Sequence, residues 1–374
     1  MRARTRDRAV YLAAHPFLFA LLAATRHRPV LRLGRTVLVH DDEAFTAALT
    51  RLPLDRTAAG TTGGAVSALT TAGALFDQQG EAHRQTRRAS ADLLSATGVA
   101  TLRPLWTDVM KEGLRPLATG AQVDLVPLAA QIAGATALAL LSADDKTQPR
   151  APATTAHEES AAWALAQAAR AAAAATAREH LPGLFRGQAR AAARTTASHL
   201  TALVAPDGGD HAGLHAMLAV AAINTTVAAL PRAAAWAADD NLWDAAAAEP
   251  ATLADELLRV LAPTPLLPRA AAADGDLPPG CPVHAGDRLM LIARHAAGAH
   301  RSGPDPASPS APQTGQLVFG IGPHACPGAR LARTQMADWL TALAPYRPVV
   351  TRARPDCRSA LPSWATLVIQ AGTP

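Results

Sequence analysis

Residues 319–333 read F-G-I-G-P-H-A-C-P-G-A-R-L-A-R, and no other stretch of the 374-residue chain restricts its fold as much. Glycines at 320, 322 and 328 allow a tight backbone path, close to a flat ligand, that a Cβ would strain. Cys326 stands just ahead of a helix-like run, 329–343. The unpaired N–H groups of a helix N-terminus supply the positive potential that keeps a thiol ionised. The pattern predicts a loop that presents one sulfur at the entrance to a helix.

A metal bound through one cysteine needs further ligands, and heme iron brings four of its own. The run resembles the heme-ligand loop of the cytochrome P450 family, F-x-x-G-x-x-x-C-x-G, with Phe319, Gly322, Cys326 and Gly328 in register. Leu331, Ala332 and Arg333 continue as that family's next helix does. The bland alternative is a small buried cysteine in a glycine-rich turn.

Composition sets the frame around that loop. A hydrophobic content of 49% suffices for a large core, while abundant alanine and 4% aromatics blur helical periodicity. Cys281, Cys326 and Cys357 are odd in number and far apart, which argues against a disulfide framework and for a reducing, cytoplasmic setting. The net charge of +5 comes from scattered arginines with no nucleic-acid motif, so nucleic acid is not the expected partner. A basic face suits an acidic redox donor better.

Along the chain, 1–8 holds four arginines and 10–24 is mostly apolar, an imitation of a signal peptide. His15-Pro16 interrupts the apolar run, which is too short to span a bilayer, so an amphipathic first helix is expected and no membrane. The stretch 29–40 alternates around Gly34-Arg35 as a β-hairpin. Residues 52–80 lack a P-loop lysine, and Gly63-Gly64 reads as loop. His83 and Arg87 share one face of a basic helix over 81–94. From 102 to 203 several helices are expected, alanine-rich over 164–177 and broken at Pro182-Gly183. His211 and His215 have zinc-like spacing but no third ligand, so a loop and helix start is preferred.

A long central helix is expected over 214–237, with Pro231 as a kink. It contains A-A-I-N-T-T at 221–226, similar to the family's A-G-x-[D/E]-T-[T/S]. Further motifs follow in family order: E-L-L-R at 256–259, a strand 266–269 ending on Arg269, an irregular 303–315, and terminal strands over 347–370 whose tip, 361–364, faces the pocket.

The resemblance implies a single, mainly α domain over 1–374 with a small β region, holding heme b between the central helix and the Cys326 loop. It makes Cys326 the iron ligand and puts Phe319 and Gly320 against the heme. His83, Arg87, Arg269 and His324 become propionate contacts, since buried carboxylates need cations. Glu256 and Arg259 become a charged structural pair, weakened by the missing arginine in 303–315. Thr225 stands beside bound oxygen, and Asn224 replaces the expected acid. Ala221, Ala222, Leu266, Leu267 and Trp364 line the substrate pocket. The implied activity is monooxygenation of a small secondary metabolite, with electrons from a ferredoxin and its reductase, because no flavin or iron–sulfur motif is present. Two alternatives remain. One is a heme-thiolate enzyme with peroxide-driven, nitrene-like, coupling or dehydration chemistry; the other is a heme sensor or ligand-binding protein.

Overall fold

The computed structural model describes residues 2–55, 57–58, 61, 91–142, 156–179, 186–205 and 212–372. His83 and Arg87 lie outside them, as do Gly63-Gly64, Pro182-Gly183 and His211. The expected first helix is two: α1 (Arg2–Ala14) and α2 (Pro16–Thr25), with Pro16 opening the second. Proline has no N–H to lose at a first helical position, so it starts a helix where it would break one.

A hairpin of β1 (Val30–Leu33) and β2 (Thr36–Val39) follows, in the register Leu31 opposite Leu38. With β3 (Leu54–Asp55), β5 (Leu267–Ala271) and β8 (Arg288–Leu291) it forms a five-stranded sheet in the order β1-β2-β8-β5-β3. The helix α3 (Asp42–Thr50), capped by the Asp41 carboxylate, buries Phe45 against this sheet's core with Val37, Val39, Leu289 and Leu291. A smaller sheet joins β4 (Val123–Asp124), β10 (Trp364–Gln370) and β9 (Val349–Pro355), and β6 (Gly275–Leu277) pairs with β7 (Cys281–Val283).

The larger core is helical. It packs α4 (Ala96–Leu114), α5 (Leu125–Ser142), α8 (Ala212–Asp239), α10 (Pro250–Leu261) and α13 (Ala329–Leu343) around Trp106, Ile132, Leu230, Leu257 and Trp339. Helices α5 and α8 are long and apolar enough to cross a membrane, but more than half of each apolar window is buried in this core. Three polar contacts fix α13 within it. Trp339 Nε1 donates to Leu230 O of α8 (2.8 Å), Gln335 Nε2 to Thr136 Oγ1 of α5 (2.8 Å), and Asp338 accepts from Arg103 and Trp106 of α4. A buried bond of this kind contributes about 1 kcal/mol net, and more is lost if one partner goes unpaired. The helix that leads out of the cysteine loop is therefore pinned from three sides.

The alanine-rich run forms α6 (Ala156–Glu179), followed by α7 (Arg186–Val204). It approaches α5 so closely that a Cβ at Gly134 would lie 2.1 Å from Ala162 O, which only glycine allows. The remaining helices are short: α9 (Trp243–Ala248), α11 (Ala293–Ala296) and α12 (Pro312–Gln316). α8 passes through Pro231 without ending.

One buried cluster had no sequence signal. His40 of β2 shares a 2.7 Å Nδ1–Nδ1 hydrogen bond with His295 of α11, and their rings stack. The His300 ring lies 4.9 Å from that of His295, and Thr25 Oγ1 lies 3.1 Å from His40 Nε2. Burial pushes His40 down to about 4. Burial first, then His40, His300, Arg294 and Arg26, push His295 down to about 2. Burial, then Arg301, Arg26, Arg294 and His40, push His300 down to about 4. All three are neutral at pH 7.

Candidate heme-thiolate site

The cysteine loop is built as the sequence predicts. Two 3₁₀ turns, Leu317–Phe319 and Gly322–His324, are separated by Gly320 and Ile321. Gly320 and Gly322 have φ of 71° and 73°, a region costly for any other residue. At Gly322 a Cβ would also press on Leu49 O of α3 at 3.2 Å. The Cys326 N–H donates to Phe319 O (2.7 Å), closing the loop on itself. The Cys326 side chain is exposed, not sunk in the core, and stands three residues before the first residue of α13.

Helix α13 braces the loop it follows. The Arg333 guanidinium lies 4.6 Å over the Phe319 ring, donates to Asp255 of α10 (2.8 Å) and reaches Gln316 Oε1 (3.2 Å). Gln316 Nε2 in turn donates to Gly320 O (3.1 Å). Phe319 is half-buried and packs on both cores. Nothing in the residue spacing marks Gln316 or Asp255 as members of this brace.

Below the loop lies the Glu256–Arg259 pair. The guanidinium donates to both carboxylate oxygens (3.0 and 2.7 Å), and both side chains are almost fully buried. The pair forms although 303–315 holds no arginine. The N–H groups of Asp305 and Ser310 donate to Glu256 (3.1 and 3.0 Å), and Arg259 also donates to Ala297 O and Gly303 O. Burial alone would raise the Glu256 carboxyl; Arg259 and the two N–H groups outweigh it and hold the carboxyl below its usual range.

Arg269 on β5 is buried too, yet no carboxylate accompanies it among the described residues. Its one side-chain bond goes to Pro268 O (2.9 Å), and burial brings its guanidinium down to about 10.

On α8, residues 227–237 are all buried, whereas Ala221, Ala222, Asn224 and Thr225 are only half-buried. The N-terminal half of α8, 212–226, is thus its partly exposed half, and the C-terminal half is sunk in the core. Thr225 Oγ1 donates back to Ala221 O (2.8 Å). Asn224 Nδ2 donates to Val220 O (2.9 Å) and to Ala169 O of α6 (3.3 Å). Leu266 and Leu267 are half-buried at the start of β5.

Trp364 departs from expectation. It is packed in the helical core, beside Ala3, Asp7, Arg232 and Trp236, rather than standing open at a pocket. The side chain of His324 lies outside the described ones. Cys281, Cys326 and Cys357 form no disulfide, and no group of three metal-ligating side chains occurs among the described residues.

Comparison with known proteins shows the fold. No protein-family model matches the sequence, and no curated protein does. Solved structures match over nearly the whole chain. Open, histidine-tagged cytochrome P450 EryK from S. erythraea is 20% identical, with 96% of this chain and 97% of that one covered, at a TM-score of 0.74. CYP175A1 from Thermus thermophillus is 20% identical, covering 97% and 96%, at 0.74. P450BioI in complex with an acyl carrier protein ligated by hexadec-9Z-enoic acid is 16% identical, covering 98% and 100%, at 0.74. The chain has the cytochrome P450 fold.

Proposed function

We propose that the chain is a heme-thiolate oxidoreductase, a P450-type monooxygenase that inserts one oxygen atom into a small organic substrate and releases the other as water. One observation carries the reading: within a P450 fold, an exposed cysteine stands on a self-closed glycine loop at the entrance to a helix pinned on three sides. A loop used only for packing would bury its sulfur.

The residues present fit a heme. A buried guanidinium with no anion costs several kcal/mol unless something negative meets it, and a heme propionate is such a group. Cys326 would hold the iron, with Arg269 on a propionate; His83, Arg87 and His324 are proposed as further propionate contacts. When bound, the heme supplies oxygen activation, which thiolate donation favours. The protein's part is to orient and to exclude water. Phe319, clamped under Arg333, keeps the loop's position. Thr225 offers a hydroxyl on the half-buried stretch of α8, while Ala221, Ala222, Leu266 and Leu267 would give substrate an apolar wall. Electrons are assigned to a separate ferredoxin and its reductase in the cytoplasm, drawn by exposed arginines such as Arg330 at the start of α13. The substrate class proposed is a small secondary metabolite.

The test is the reduced carbon monoxide complex. It should absorb at the long-wavelength position of thiolate ligation, lose that band in Cys326→Ala, and keep it in Cys281→Ala and Cys357→Ala. Loss of the band in either of the last two variants, but not in the first, would sink the assignment. Turnover driven by ferredoxin and NADPH, set against turnover driven by peroxide alone, separates the monooxygenase from the alternative that an amide at position 224 favours.

A further inference from the structure

Asn224 stands where the family resemblance leads one to expect an acid, but its side chain is already engaged. Both hydrogen bonds from Nδ2 end on main-chain carbonyls: Val220 O, one turn back in α8, and Ala169 O, across in α6. An amide can donate to both. A carboxylate can donate to neither, and would set its charge against two carbonyl oxygens. The buried face of α6 is mostly alanine, with Leu165 as its larger buried side chain. Ala166 and Ala169 of α6 are fully buried, and α6 meets α5 through the bare backbone contact of Gly134 with Ala162. Alanine faces gain dispersion energy but offer few protrusions to interlock. A directional bond from α8 therefore has more to do in fixing the placement of α6 than it would between helices with bulky side chains.

We infer that Asn224 is a positioning residue whose amide pegs α6 to α8 and so sets the clearance of the substrate pocket over Thr225, in place of an acid that relays protons. The pocket role rests on the heme-thiolate reading; the bond between the two helices does not.

Hydrogen–deuterium exchange of the purified protein tests the peg, and Asn224→Ser is the sharpest variant. Serine keeps the bond to its own helix, as Thr225 does with Ala221, but is too short to reach α6. Amides of residues 166–173 should then exchange about tenfold faster than in wild type, with α13 unchanged as the control for an intact fold. Asn224→Asp should loosen α6 at least as much. Exchange in α6 that stays within about twofold of wild type in both variants would overturn the peg. The pocket role is read from two iron-binding azoles. In Asn224→Ser the affinity for 4-phenylimidazole should change by about tenfold while that for imidazole holds, since only the larger ligand would extend as far as α6. Faster exchange with the two affinities moving together would overturn the pocket role and leave a packing bond. A wild type that lacks the thiolate band fails the heme reading, and the pocket role with it, while the exchange result still decides the peg.

Discussion

Two arginines ten positions apart, Arg259 and Arg269, are both buried, and their surroundings are opposite. Arg259 has a bidentate carboxylate and two carbonyl acceptors, so its charge is answered within the protein. Arg269 has one carbonyl and no anion among the described residues. A buried charge is tolerated when paired and costly when not. The charge of the first arginine is met within the fold, and that of the second is met by no carboxylate among the described residues, which is what supports the propionate contact proposed for it.

The largest test of that contrast removes the carboxylate. Glu256→Leu should lower the unfolding free energy by about 3–5 kcal/mol in urea titration, because Arg259 is left buried and unpaired. A loss near zero would mean that the carbonyls alone satisfy the guanidinium. Arg269→Met should act the other way round. The heme-free protein should be as stable as wild type or more so, while heme affinity falls by roughly 10- to 150-fold, the loss of one charged hydrogen bond. Heme transfer to apomyoglobin measures it, and unchanged heme affinity would place Arg269 with the scaffold.

The smallest effect concerns a third kind of buried group, one kept neutral. Folding lowers His40 and His300 from an ordinary value near 6.5 to about 4, so between those values the unfolded chain binds more protons than the folded one. Their stabilising effect is complete above pH 6.5 and is lost as pH falls toward 4. Between pH 7 and 5.5 each should remove about 1 kcal/mol of stability. Replacement of His300 by Gln should flatten the decline seen in urea titrations over that range; an unchanged slope would show that the cluster does not drive it.

What was legible in the sequence was local. The cysteine loop could be read because its glycines and the helix after it are contiguous, and the Glu256–Arg259 pair because both side chains sit one helical turn apart. The supports of that pair could not be read: main-chain N–H groups at 305 and 310 are common to every residue but proline. The histidine cluster was hidden because His40 and His295 meet from distant parts of the chain. Trp364 was misplaced because strand alternation marks two faces without saying which one meets α1 and α8. Asn224 was recognised as a departure, but Ala169, its partner, lies 55 residues earlier and carries no distinguishing side chain.

The way Glu256 is held has a consequence for heredity. Its donors at 305 and 310 are peptide groups, so almost any codon change there leaves both bonds available. Proline alone among the twenty residues deletes the donor. The side chains at 305 and 310 could therefore change widely while the lock beneath the cysteine loop stays closed. Proline already stands at 304, 306, 309 and 312, so the one forbidden letter applies only at the two donor positions, 305 and 310.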